Sequence, residues 1–281
     1  ARETAARTAA GAVARCLLRE FGIETFGFVR GMLDVDSSVE ITAERLADLR
    51  TDRDQSVMYC PDEQSTEAMV AHVRQAKIDK DTLGGLCEVV VFGCPFGLGS
   101  CTQWSDKLDG RLAQAVMSIQ AFKAVEIGLG TECGRRFGSQ VHDAIVYDET
   151  EQGSTHRGFL RLRNNAGGIE GGMTNAMPVV VRGTMKPIST LLQGMESVNL
   201  NTRKSERSDY ERSDVCAIAA ASVVMEHVVA FEIAAAFMDK FGGDSLRELK
   251  ANYEAYSEML QKIPLERPVA GLFRSVKFSC S

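Results

Sequence analysis

Residues 167–190, GGIEGGMTNAMPVVVRGTMKPIST, combine the residue types that an anion site needs. Four glycines in two pairs (Gly167, Gly168, Gly171 and Gly172) allow positive φ and a close approach of backbone to a bound group. After an apolar strand read over residues 177–181 and buried on both faces, Lys186 supplies a cation and Pro187 fixes the chain. Ser189 and Thr190 add hydroxyls and N–H groups. A phosphate or a flavin tail suits this stretch, and a plain hairpin with a glycine turn explains the same spacing. It is not a P-loop, because no G-x-x-x-x-G-K-[ST] occurs.

A second segment places Arg212 and Asp214 just before a long apolar run. Asp214 reads either as the N-cap of that helix or as a proton-moving carboxylate, with Arg212 holding negative charge beside it. Arg135 and Arg136 lie in a glycine-rich, polar stretch of residues 130–153, which reads as a functional loop that recognises an anion or as a solvated one. His72 reads as a surface residue, and His227 beside Glu226 as a satisfied buried or interface pair.

The elements that must position these residues belong to a soluble globular chain of 281 residues, 44% hydrophobic and 25% charged. A net charge of −6 argues against a general nucleic-acid or anionic-membrane binder, so an anionic ligand requires a local basic cluster. The eight cysteines show no C-x-x-C pair, which points to reduced thiols rather than zinc or a disulfide framework. The uncharged run over residues 215–225 is too short to span a bilayer, and no secretory signal is visible. A cytoplasmic protein is expected, with a plastid destination if a transit peptide has been lost.

Periodicity predicts helices over residues 3–20, 42–49, 67–77, 108–122, 217–240 and 246–260. Strands are predicted over 25–32, 84–93, 124–128, 158–163 and 177–181. Asp52, Arg53 and Asp54 read as solvated loop, and residues 242–245 as the stop of one helix and the cap of the next. The expected organisation is α+β, with one domain over residues 1–264 and a tail over 265–281.

Together, NNAGGIEGGMTNAMPVVVRGTMKPIST and RSDVCAIAAASVVMEHVVA resemble two C-terminal blocks of the chorismate synthase family. ARETAARTAAG, DTLGG, PFGLGS, MSIQAFKAVEIG and GSQVHD resemble further segments of that family, in order, over almost the whole chain. The resemblance implies a β-α-β sandwich assembled as a homotetramer. It also implies reduced FMN as cofactor and conversion of 5-enolpyruvylshikimate 3-phosphate to chorismate and phosphate. By similarity, flavin contacts fall on Gln120, Ala121, Lys186, Pro187, Ile188, Ser189, Thr190 and Arg212. Asp214 takes the proton-transfer role at the flavin, and Arg2 is a substrate-side arginine.

Ala176 stands where the family carries a glycine in a flavin-contacting turn, and alanine is accepted there only with negative φ or with local strain. The family's Gly-Glu-Ser-His-Gly and Arg-Pro-Gly-His segments are not among these residues, and none of His72, His142, His156 or His227 replaces their histidines by motif. The chain is therefore expected to be the C-terminal portion of such an enzyme, inactive alone; a non-catalytic flavin- or phosphate-binding relative is the alternative. No segment reads as a nicotinamide site, which leaves any use of NADP open.

Overall fold

The computed structural model describes residues 2–209 and 213–262. In chain order its helices are α1 (Arg2–Arg19), α2 (Leu46–Gln55), α3 (Glu63–Ile78), α4 (Leu108–Met117), the single turn α5 (Gly138–Val141), α6 (Ile218–Phe241) and α7 (Leu246–Gln261). The strands are β1 (Glu24–Met32), β2 (Val35–Asp36), β3 (Gly85–Phe92), β4 (Phe96–Gly99), β5 (Phe122–Ile127) and β6 (Ile145–Tyr147). They continue with β7 (Phe159–Arg161), β8 (Ile169–Glu170), β9 (Met173–Asn175), β10 (Val179–Met185), β11 (Glu196–Val198) and β12 (Ser205–Arg207). The described residues fall into two compact units, divided between Lys240 and Phe241.

The first unit is built on an antiparallel sheet of order β2-β1-β3-β10-β5. Its register pairs Phe26 with Val90 and Val180 with Val90, so side chains alternate cleanly between two faces. On one face Phe26, Phe28, Val90 and Phe92 pack with Leu46 and Leu49 of α2. Each such side chain contributes roughly 1.5–3 kcal/mol when fully buried. The opposite face is glycine-stepped. A Cβ on Gly27 would lie 2.5 Å from the Glu226 Cβ, and one on Gly183 3.0 Å from the Met225 sulfur, which is how α6 comes to lie close on the sheet.

Several sequence expectations change here. β10 is longer than residues 177–181 and alternates, with Val179, Val181 and Met185 buried and Thr184 exposed, instead of being buried on both faces. Residue 122 opens β5 and does not close the preceding helix, which ends at Met117; Ala121, with a φ of 70°, then turns the chain into the strand. The Asp-Arg-Asp of 52–54 lies in α2, and Arg53 is 4% exposed. Its guanidinium stacks on the Phe26 and Tyr59 rings and reaches Glu226 at 3.4 Å.

Glu226 accordingly does not pair with His227. It binds Arg15 at 3.0 Å and Arg53, while the His227 Nδ1 meets the Val223 carbonyl at 2.7 Å. Residues 130–153, read as loop, contain 3₁₀ turns, α5 and β6, which pairs with β7. The polar stretch read over 197–213 holds the β11–β12 hairpin.

α6 is long and apolar enough by length and composition to cross a membrane, yet Met225, Val229, Ile233 and Phe237 are buried within the protein. In the second unit, Ser245 caps α7 through a reciprocal bond with Glu248, as its sequence implied. Phe241 meets Tyr253 with ring centroids 5.2 Å apart.

Candidate functional site

The register puts the end of β1 (Met32), the start of β3 (Gly85), the end of β10 (Met185) and the start of β5 (Phe122) at one edge of the sheet. At that edge the Lys186 N–H donates to the Ala121 carbonyl at 2.9 Å. This bond brings Gln120 and Ala121 beside the run Lys186, Pro187, Ile188, Ser189 and Thr190. Gln120 in turn donates to Glu3 at 2.9 Å, which draws in the first turn of α1 and so the neighbourhood of Arg2. The bond from Gln120 is the principal reason the Glu3 carboxyl lies below its usual range; desolvation opposes it, and Arg7 adds to the lowering.

The segment before α6 closes the other side. Ser213 donates its hydroxyl to the Thr190 carbonyl at 2.9 Å, and the Leu83 N–H bonds the Val215 carbonyl at 2.9 Å. Thr82 donates its hydroxyl to the Ile188 carbonyl at 2.6 Å. Asp214 is exposed and lines a cleft of about 490 Å³ with Arg74, Val70 and Met58. It is not the N-cap of α6, because that helix begins four residues later, at Ile218. Arg212 lies outside the described residues.

Two features suit the 186–190 run to an anion. Lys186 is exposed, with no carboxylate partner among the described residues. Among those residues nothing accepts from the N–H groups of Ile188, Ser189 and Thr190 either. A cleft of about 800 Å³ opens beside the run, lined by Met185, Pro187, Thr82, Gly84, Gly85 and His72, and has the size of a small-molecule site. His72 is held by Asp34 at 2.8 Å on its rim, which qualifies its reading as a plain surface residue.

The glycine turn is not at this edge. β10 runs between them, and its seven residues put Ala176 about 20 Å or more from Lys186. Gly171 and Gly172 form the two-residue turn between β8 and β9, both with positive φ, as a tight hairpin requires. Gly167 is needed for packing, since a Cβ there would lie 2.3 Å from the Gly128 nitrogen. The hairpin reading thus accounts for these glycines within one chain. Ala176 is buried with a φ of 64°, so the strained alternative holds. Arg135 and Arg136 follow the far end of β5 and both pair with Glu132, at 3.2 and 3.8 Å.

Sequence reasoning assigned no role to Thr82, Gly84 or Ser213. The signal was present in the Asp-Thr-Leu-Gly-Gly segment, but spacing alone does not show that its hydroxyl meets a carbonyl 106 residues away.

Fold and site define an α+β protein with a lysine-bearing, partly unsatisfied backbone run at one sheet edge, suited to a phosphorylated ligand. The family model described as chorismate synthase matches residues 1–238. A chorismate synthase of Desulforamulus reducens is 50% identical over 265 residues, covering 94% of this chain and 66% of the relative. One of Brevibacillus brevis is 51% identical over 265 residues, covering 92% and 65%. A solved structure described as a crystal structure of chorismate synthase superposes with a TM-score of 0.78 at 39% identity, covering 93% of this chain and 70% of that one. The chain belongs to the chorismate synthase family. It spans just under two thirds of the length of the curated relatives it matches.

Proposed function

We propose that the protein carries the flavin-binding part of a phosphate lyase that converts 5-enolpyruvylshikimate 3-phosphate to chorismate. The observation that carries this reading is the meeting of Ala121 with Lys186, in a chain of this family, at an edge where three backbone N–H groups and an ammonium have no partner among the described residues. Those donors fit a flavin phosphate, and the adjoining cleft has the size for the remainder of a flavin.

The reaction is a 1,4-elimination: an allylic C–O bond to phosphate breaks and a ring proton leaves, with no net redox change. Reduced FMN supplies transient electron density to the breaking bond when bound. The chain's own task is to hold and orient. Lys186 and the N–H groups of 188–190 bind negative charge, with energy that is largest where water is excluded. Arg2 supplies a cation to the anionic substrate, and Asp214 is placed on an exposed segment from which it accepts the proton. Active assembly as a homotetramer belongs to the same reading.

Anaerobic titration of reduced FMN, with and without 5-enolpyruvylshikimate 3-phosphate, tests it. Binding is expected, tightened by the substrate and weakened about tenfold or more by Lys186→Gln, which removes a charged contact of about 1.5–3 kcal/mol. Equal affinity for the Lys186→Gln chain would remove the run from the flavin site. The same reading expects turnover only when the family's histidine segments are joined to these residues.

A further inference from the structure

We propose that Thr82 and Ser213 are positioning residues for the phosphate end of the ligand. Their hydroxyls hold the 186–190 run in the shape that leaves its N–H groups for an anion. This rests on reading that run as the flavin-phosphate site.

Five residues outside any helix or strand have several conformations open to them, and fixing each backbone carries an entropic cost. A carbonyl oxygen turned towards a phosphate would also repel it. Both problems are met at once here. Thr82 takes the Ile188 carbonyl at 2.6 Å, and Ser213 takes the Thr190 carbonyl at 2.9 Å. Both partners are carbonyls, so the two ties direct acceptors inward and leave the N–H groups of Ile188, Ser189 and Thr190 unmatched among the described residues.

The tie at Thr82 is rigidly backed. Thr82 is 5% exposed, and its own N–H is fixed by the Asp81 carboxylate at 2.7 Å. Two residues on, a Cβ at Gly84 would lie 2.1 Å from the Met185 carbonyl oxygen and 2.9 Å from the Pro187 nitrogen. The run therefore rests directly on the 82–84 backbone. A further bond, from the Gln193 N–H to the Lys80 carbonyl at 3.2 Å, fastens the chain just beyond it. Lys186 is held at the near end by Ala121, so the run is fixed at both ends and at two carbonyls between them.

The test compares Thr82→Val, Thr82→Ser and Ser213→Ala with the parent chain, using reduced FMN and reduced riboflavin, which lacks the phosphate. Thr82→Val keeps the shape of threonine without the hydroxyl. It is expected to weaken FMN at least tenfold and leave riboflavin within twofold; Ser213→Ala behaves likewise with a smaller loss, and Thr82→Ser restores parental binding. Unchanged FMN affinity in Thr82→Val, or equal weakening of both flavins, would overturn the positioning role and leave the flavin reading intact. Failure of the parent to bind FMN would overturn the flavin reading instead. The positioning role is then read from inorganic phosphate, which should shift the amide resonances of Ile188, Ser189 and Thr190 in the parent and in Thr82→Ser but not in Thr82→Val. Equal shifts in all three, or none in the parent, would overturn it.

Discussion

The Asn175 side-chain oxygen accepts the N–H of Met177 at 3.0 Å, arching over Ala176 and holding that alanine at a φ of 64°. The Asn175 amide is itself fixed by Glu170 at 2.8 Å, and Glu170 pairs with Arg161. A left-handed conformation costs a non-glycine residue about 1–2 kcal/mol, so the turn persists because its neighbours determine it.

Replacing Ala176 by glycine relieves that strain but loses a buried methyl group and adds freedom to the unfolded chain, about 1 kcal/mol each way. Ala176→Gly is expected to change the unfolding free energy by less than about 1 kcal/mol. Ala14→Gly, in the middle of α1 and also buried, should cost about 1–2 kcal/mol. Denaturant titration of the two variants checks the contrast; an equal loss in both would show that the turn carries no strain.

Asp143 accepts from the N–H groups of Asn165 at 3.1 Å and Ala166 at 2.9 Å, which sets the chain's entry into Gly167. Bonds to a charged acceptor are worth about 1.5–3 kcal/mol. Asp143→Ala should lower stability by about 2 kcal/mol or more and raise hydrogen exchange over residues 164–168 well before other regions. Protection there that survives the substitution would mean that the Gly128 contacts alone hold the turn.

What the sequence made legible follows physical range. α1, β1, β3 and the Ser245 cap rest on local periodicity and capping, and they lie where local patterns put them. Arg53 was misread because Asp-Arg-Asp looks solvated, whereas its burial depends on two rings and a carboxylate 173 residues away. The site divided in the same way. Lys186 stands out by its residue type and Ala121 only by family resemblance, and only strand pairing shows that they meet. The separation of Ala176 from Lys186 follows from the seven-residue length of β10, whose second half, with Arg182, Gly183 and Thr184, carries no apolar run to mark it as strand.

Glu226 is the acceptor of the most buried charge cluster described, with Arg15 at 3.0 Å, Arg53 at 3.4 Å and the Thr25 hydroxyl at 3.3 Å. Removing one partner from such a cluster leaves a buried charge uncompensated and typically costs about 3–5 kcal/mol. Glu226→Ala should lose that amount in urea unfolding. Replacing Glu226 and Arg53 together with leucine and methionine should recover part of it, since the cost lies in the orphaned charge. A double replacement no more stable than Glu226→Ala alone would show that the cost does not lie in the orphaned charge.

Asp62 gives a pH signature. It caps α3 by accepting from the Gln64 N–H at 3.2 Å and binds the hydroxyls of Ser65 and, at 3.1 Å, Ser37. These bonds, that from Ser65 foremost, hold its carboxyl below the ordinary aspartate range despite some desolvation. A depressed folded-state value means that the unfolded chain binds the proton more readily. The stabilisation is therefore complete above the unfolded value of about 3.9 and is lost as pH falls through the lower folded value. Asp62→Asn keeps an acceptor but cannot titrate. Its unfolding free energy should be lower than the parent's by about 1 kcal/mol at neutral pH, as for a weakened cap, and the two should converge below about pH 4. Parallel curves down to pH 2 would show that Asp62 contributes no charge-dependent stability.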